Sequence, residues 1–209
     1  MEEFEASNDP FIQYAVASYD ERMALEQAGK EQSGQFQHWR PQYMEAVIAY
    51  NRSLDQPIYA DANSSLRVTF GRVQGNEPKD GLVNLPFTTL EGILGKDTGL
   101  DPFNAPQKQL NLIRSGEYGA YELPSLGSVP VNFLADLDIT GGNSGTAAMN
   151  SKAQLVGLLF DGVYESIIGD WDFDQAKNRA IAVDSRYMLW VMEYMDIAAN
   201  LLEEMTIVD

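Results

Sequence analysis

DITGGNSGTAAMN, residues 138–150, sets Ser144 in a Gly-Asn-Ser-Gly turn. Glycines on either side of a serine let the backbone turn tightly, so the hydroxyl stands exposed and amide N–H groups converge on one point. A serine that attacks an acyl carbon needs that exposure, a base to take its proton, and donors for the oxyanion that forms. In the serine-hydrolase arrangement the donors are the serine N–H and the N–H two residues earlier. Here those belong to Ser144 and Gly142, and Gly145 leaves room for a substrate to approach. A bare Gly-Asn-Ser-Gly also occurs in ordinary turns, so the tetrapeptide leaves both a structural turn and a nucleophile open.

Working outward, AQLVGLLFDG (153–162) reads as a buried strand at a suitable distance to wall a pocket beside the serine. AVDSRYMLWVMEYMDIAANLLEEM (182–205) predicts one helix, with Tyr187, Trp190, Val191, Tyr194, Ala198, Leu201 and Met205 along one face as core packing. Upstream, residues 1–55 read as helical. Ser7-Asn8-Asp9 forms a cap cluster ahead of Pro10, and Phe11, Ile12, Tyr14, Ala15, Val16 and Tyr19 follow. Gly29 and KEQSGQ predict a turn, and RPQYMEAVIAYNRSL (40–54) a second helix. After Pro57, Leu66, Val68 and Phe70 alternate with Arg67 and Thr69 as in a strand, with turn residues at Gly75-Asn76. Residues 80–135, rich in Gly, Pro and Asn, suit short strands and long loops, among them GLVNLPF and SVPVNFLAD. The order is helices, a β-rich body, then one terminal helix, which resembles the end of something larger more than a complete domain.

Composition narrows the chemistry. Of 209 residues 44% are apolar, enough to bury a core, and no run approaches the roughly 18 apolar residues of a membrane span. Net charge is −17, which repels phosphate backbones and anionic lipid, so neither nucleic-acid binding nor membrane insertion is expected. With no cysteine, disulfides, thiolate catalysis and cysteine-type zinc sites are excluded. One histidine leaves only carboxylates for a metal. The alternating acids Asp170, Asp172 and Asp174 in GDWDFD lack the glycine and distal glutamate of a calcium loop, and read as a solvated loop. No metal or cofactor is expected. The start, MEEFEASNDP, has neither the basic nor the apolar region of a signal peptide.

Several separated pieces carry a resemblance. In order, YADANSSLRVTFGRVQG, PFTTLEGI, DITGGNSG, LVGLLFDGVYES, GDW and RAIAVDSRYMLWVMEY look like the C-terminal part of the bacterial dipeptidyl-peptidase 7 and dipeptidyl-peptidase 11 family. DPFIQYA and RPQYMEAVIAY resemble the end of that family's helical domain. The resemblance implies a mostly β fold with flanking helices. Residues 1–56 would end the helical cap domain, and 57–209 would form the C-terminal barrel of a chymotrypsin-like double β-barrel, closed by a terminal helix. It implies a serine exopeptidase that releases dipeptides from peptides with a free N-terminus. Ser144 matches the nucleophile, with Gly142 and Ser144 as oxyanion donors. Asp161 matches a carboxylate that holds the substrate's α-amine. Gly162 matches the position that sets preference for the residue before the scissile bond. Arginine there attracts Asp or Glu, whereas glycine leaves an uncharged pocket for apolar residues. Thr146-Ala147-Ala148 departs from the family's Gly-Ser-Pro. A homodimer in the periplasm or at the cell surface is the family's implication for the intact protein.

The family's catalytic histidine and aspartate lie upstream, in a barrel outside these residues. His38, in QFQHWRP, reads as a surface or packing histidine beside Trp39, and Asp136 and Asp138 as loop residues. The chain is therefore expected to carry the nucleophile half only, and to be inactive alone. Two alternatives stand beside this reading: a fragment of a trypsin-like endopeptidase, and a non-catalytic module that holds peptide ends.

Overall fold

Asp9 starts the first long helical stretch, its carboxylate accepting the Phe11 N–H at 2.8 Å and the Ile12 N–H at 3.4 Å, with Pro10 in the first helical position. The structure, a computed structural model, describes residues 2–56, 66–169 and 173–208. Two units divide at Leu66 and Arg67. The first carries α1 (Glu2–Glu5), α2 (Pro10–Ala17) and α3 (Tyr19–Ser53). The turn expected at Gly29 is absent: α3 runs 35 residues through Gly29, Gly34 and Pro41, and the chain breaks at Ser18 instead. A glycine costs a helix only about 1 kcal/mol. Around Gly29 the neighbours Glu26, Gln27, Lys30 and Glu31 form helix-spaced pairs, at 2.6 Å for Lys30–Glu26 and 3.0 Å for Gln27–Glu31.

In the second unit, β1 (Asn76–Lys79) and β2 (Leu82–Asn84) form a hairpin turned at Asp80-Gly81, where Gly81 has φ +76°. The turn is thus not at Gly75-Asn76. Asn76 is buried, its amide donating to the Lys177 carbonyl at 2.9 Å and its oxygen accepting from Asn84 at 2.8 Å. Next come β3 (Phe87–Thr89), α4 (Leu90–Lys96) and α5 (Gln107–Ser115). These two helices occupy a region read as strands and loops. Then follow β4 (Pro130–Ala135), β5 (Ala147–Met149), β6 (Leu155–Gly162) and β7 (Ala180–Asp184). The chain ends in α6 (Ser185–Trp190), a π-helical turn at Val191–Met195, and α7 (Ala199–Leu202).

Strands β3 to β7 make one antiparallel sheet in the order β3-β4-β7-β6-β5. Among the described residues β3 and β5 are the edges of the sheet and α-helix exceeds strand, so these residues form a mixed α and β structure rather than the mostly β one expected, and no closed barrel is seen among them. Each edge strand is three residues long. The strand predicted over Leu66–Phe70 does not form. Leu66, Val68 and Phe70 are exposed. Pairing along β4 begins at Arg72, whose carbonyl accepts the Asp136 N–H at 3.1 Å, and continues with Val73, which bridges Ala135, and the Gln74 N–H, which bonds the Leu134 carbonyl at 3.0 Å.

Two apolar clusters fill the unit. Leu90, Ile113, Tyr121, Val129 and Trp190 form one, and Phe133, Ala135, Leu159, Ala180 and Ala182 the other. Alternate residues of β7 are buried, and its alanines leave space for Phe133 and Leu159. Asp184, itself buried, joins β7 to α6: it accepts the Arg186 N–H at 2.9 Å and holds the Arg186 guanidinium at 2.9 Å through each carboxylate oxygen. The terminal helix, expected unbroken, passes into the π turn after Trp190 and breaks at Ile197, where φ is +53°. Tyr187 and Tyr194 pack around Trp190 as the stripe predicts, but Leu201 and Met205 lie beyond the break and are exposed.

Trp190 is fully buried and its indole N–H donates to the Glu117 carbonyl at 2.8 Å. Trp190→Ala is expected to lower the stability of this unit by about 3–5 kcal/mol in denaturant titration. Burial, with the hydrogen bond and charge of Glu193, pushes the Tyr121 phenol up from 10 to about 12. Above its ordinary pKa the unfolded chain gives up this proton while the folded chain keeps it. Stability is therefore full below about pH 10 and falls as the pH rises toward 12. Tyr121→Phe should remove that part of the alkaline slope, read by denaturation at several pH values.

Candidate functional site

Asn143 organises the serine turn. Its side-chain oxygen accepts the Thr140 N–H at 2.8 Å, its own N–H bonds the Thr140 carbonyl at 3.2 Å, and its carbonyl accepts the Thr146 N–H at 2.9 Å. The turn is then sewn to β6 by a reciprocal pair: Gly145 N–H to the Leu159 carbonyl at 2.7 Å, and Leu159 N–H to the Thr146 carbonyl at 2.9 Å. Gly142 at φ +99° and Gly145 at φ +85° hold backbone conformations that L side chains rarely adopt, so the sequence has glycine there for a physical reason. Thr146, the departure from the family's pattern, is exposed, with its backbone N–H bonded to the Asn143 carbonyl and its carbonyl to the Leu159 N–H, each at 2.9 Å.

Ser144 stands exposed at the tip. Its hydroxyl donates to the Phe160 carbonyl at 3.4 Å, beyond the usual range for two oxygens, so it is held weakly and can turn. The second unit has no histidine: His38 lies on α3, exposed, with its ring edge-on to Trp39 at 4.9 Å.

Opposite the turn, β6 carries a bulge. Leu159 pairs with Ala182 and Asp161 with Ile181, so Phe160 is an extra residue on that strand. A bulge breaks the alternation of faces and re-aims side chains. Here it leaves Phe160 and Asp161 exposed in succession after buried Leu159. The result is a cleft of about 140 Å³, with Gly141, Asn143 and Ser144 on one side and Phe160, Asp161 and Gly162 on the other. Gly142 flanks it on the turn. The Asp161 carboxylate accepts the Gly162 N–H at 2.8 Å, which fixes its direction at the cleft's edge.

The other candidates lie elsewhere. Asp136 is buried and bonds the Arg72 N–H, and its own N–H bonds the Arg72 carbonyl at 3.1 Å. Asp174 turns inward on its own loop, accepting the Ala176 N–H at 2.9 Å and pairing with Lys177 at 3.4 Å. Asp170 and Asp172 lie outside the described residues. Sequence reasoning missed three parts of the site: Asn143 as its brace, the Phe160 bulge, and the loop behind Gly162 built on Ser166 and Arg179. The asparagine was legible, since Asn commonly bonds backbone groups in turns. The bulge and the buried arginine leave no local signal.

The chain belongs to the Peptidase S46 family, whose model matches residues 1–207. It is 44% identical to an Asp/Glu-specific dipeptidyl-peptidase of Shewanella putrefaciens, over 98% of this chain and 31% of that protein. It is 41% identical to a dipeptidyl-peptidase 7 of Phocaeicola vulgatus, over 74% of this chain and 21% of that protein. The chain thus spans less than a third of the length of these curated relatives. Among solved structures, Porphyromonas endodontalis DPP11 matches with a TM-score of 0.81 at 28% identity, covering 96% of this chain and 28% of that one. The same protein in complex with the dipeptide Arg-Glu matches with a TM-score of 0.70 at 34% identity, over 76% of this chain and 23% of that one.

The turn's geometry carries its own test. Gly142→Ala places a side chain at positive φ and should cost about 1–3 kcal/mol. Gly141→Ala meets open space at ordinary φ and should change the melting temperature little. Calorimetry on the pair separates backbone strain from simple loss of a glycine.

Proposed function

We propose that this chain forms the nucleophile half of a serine-type dipeptidyl peptidase. The observation that carries the proposal is the cleft: Ser144, on a turn held by positive-φ Gly142, faces Asp161 and Gly162 across one small space. Ser144 Oγ attacks the carbonyl carbon of the substrate's second residue. Its proton passes to a base outside this chain, supplied by the remainder of the longer protein. The N–H groups of Gly142 and Ser144 hold the oxyanion. The C–N bond then breaks, the leaving amine takes the proton, and water hydrolyses the acyl-serine ester to free the dipeptide. Asp161, across the cleft from Ser144, meets the substrate's α-ammonium, and a fixed anion there restricts cutting to the second residue. The chemistry uses no metal or cofactor.

Gly162 presents no charge to the side chain before the scissile bond, and a net charge of −17 disfavours acidic peptides. Both support an apolar preference. A second reading, preference for Asp or Glu, draws on the name of the Shewanella putrefaciens relative. The intact protein is proposed to be a homodimer of the periplasm or cell surface, by resemblance to its family.

The test uses fluorogenic dipeptidyl substrates with Leu, Phe or Asp before the scissile bond. The chain is assayed alone and joined to the upstream part of an S46 protein. Activity is expected only in the joined form, on the apolar substrates, and reduced on the order of 10⁴–10⁶ by Ser144→Ala. Cleavage of the Asp substrate instead would establish the second reading. Ser144-independent cleavage, or none in a folded joined protein, would reject the mechanism.

A further inference from the structure

Gly162 ends β6, pairs with Ala180, and lines the cleft beside Ser144 and Asp161. A side chain there would start against close neighbours. A Cβ on Gly162 would lie 3.2 Å from the Ser166 Cβ, 3.5 Å from the Arg179 carbonyl oxygen and 3.6 Å from Ser166 Oγ. Carbon atoms in good contact sit about 3.5–4.0 Å apart, so the first of these requires Ser166 to give way.

Ser166 is poorly placed to do so. Its hydroxyl accepts the Arg179 N–H at 3.0 Å and donates to the Arg179 carbonyl at 3.2 Å. Its own N–H bonds the Val163 carbonyl at 2.9 Å, and its carbonyl accepts the Gly169 N–H at 2.9 Å. Arg179, in turn, is 2% exposed and anchored by its guanidinium. With the hydroxyl committed to Arg179, the Ser166 Cβ is the nearest atom to where a Gly162 side chain would start, with its Oγ a few tenths of an ångström further.

Building on the reading of the cleft given above, we propose that Ser166 is a second determinant of which side chain the cleft accepts before the scissile bond, acting jointly with Gly162. Ser166 stands behind Gly162, and it is the first group that a side chain on residue 162 would meet. Residues 162 and 166 compete for one volume. A long cationic side chain at 162, suited to acidic substrates, therefore requires a smaller residue at 166.

The experiment is a double-mutant cycle in the intact enzyme, reading the ratio of kcat/KM for two dipeptidyl substrates that differ only in Leu or Asp before the scissile bond. This ratio does not depend on how much enzyme is folded. Gly162→Arg alone is expected to lower kcat/KM about tenfold or more on both substrates with little change in their ratio. Gly162→Arg combined with Ser166→Gly should recover activity and shift the ratio about a hundredfold toward Asp. Ser166→Ala, which keeps the Cβ and loses the hydroxyl, should hold the wild-type ratio while lowering the melting temperature. The proposal is overturned if Gly162→Arg alone moves the ratio as far as the double variant, or if no change at 166 moves it in either background. Absence of Ser144-dependent cleavage in the unmodified enzyme is a different result: it rejects the peptidase reading itself, and this proposal with it.

Discussion

A guanidinium buried to 2% exposure has to be satisfied completely, since an ion taken out of water without partners costs several kcal/mol. Arg179 finds its partners in backbone carbonyls. Nε donates to Gln74 and Gly75 at 3.2 and 2.9 Å, one Nη to Gln175 and Asn178 at 2.8 and 2.6 Å, and the other to Ala176 at 3.4 Å. These carbonyls belong to segments a hundred residues apart, so one side chain fixes the approach to β1 against the loop that enters β7. Ala180 follows Arg179 directly and pairs with Gly162, while Ser166 is bonded to the Arg179 backbone. The far wall of the cleft is thus set from behind.

The near wall is set by local chemistry. Asn143 braces its own turn, and two reciprocal hydrogen bonds between 145–146 and Leu159 bind that turn to β6. Because the turn is attached just before the bulge, the extra residue at Phe160 brings its carbonyl under Ser144 and turns Asp161 outward. A sheet in perfect register would alternate faces and carry Asp161 to the side opposite Phe160. One inserted residue therefore changes a buried strand into the rim of a site.

Legibility divided along the same line. The Asp9 cap with Pro10, the 153–162 strand, the Trp190 stripe and the glycine-flanked serine were readable, because each depends on residues within a turn or two of one another. The long α3 was misread at Gly29, since a glycine is a weak helix breaker when helix-spaced pairs span it. Leu66–Phe70 shows the strand pattern and no strand, because alternation favours an extended chain while only a neighbouring backbone can complete a ladder. Helices α4 and α5 were hidden in a stretch dense in Gly and Pro, although Leu110, Ile113 and the left-handed Gly116 after α5 carry a helix's spacing and stop signal.

By itself the sequence determined the turn that presents Ser144, the types of residue around it, and the family to which the chain belongs. Those are short-range facts, fixed by backbone conformation and by motifs that survive in order. The tertiary structure alone decided the strand order β3-β4-β7-β6-β5, that β6 bulges at Phe160, and that Ser166 stands close to where a side chain on Gly162 would start. Each of these is a competition for hydrogen-bond partners or for space between segments distant in the chain, and no local pattern records which segment wins.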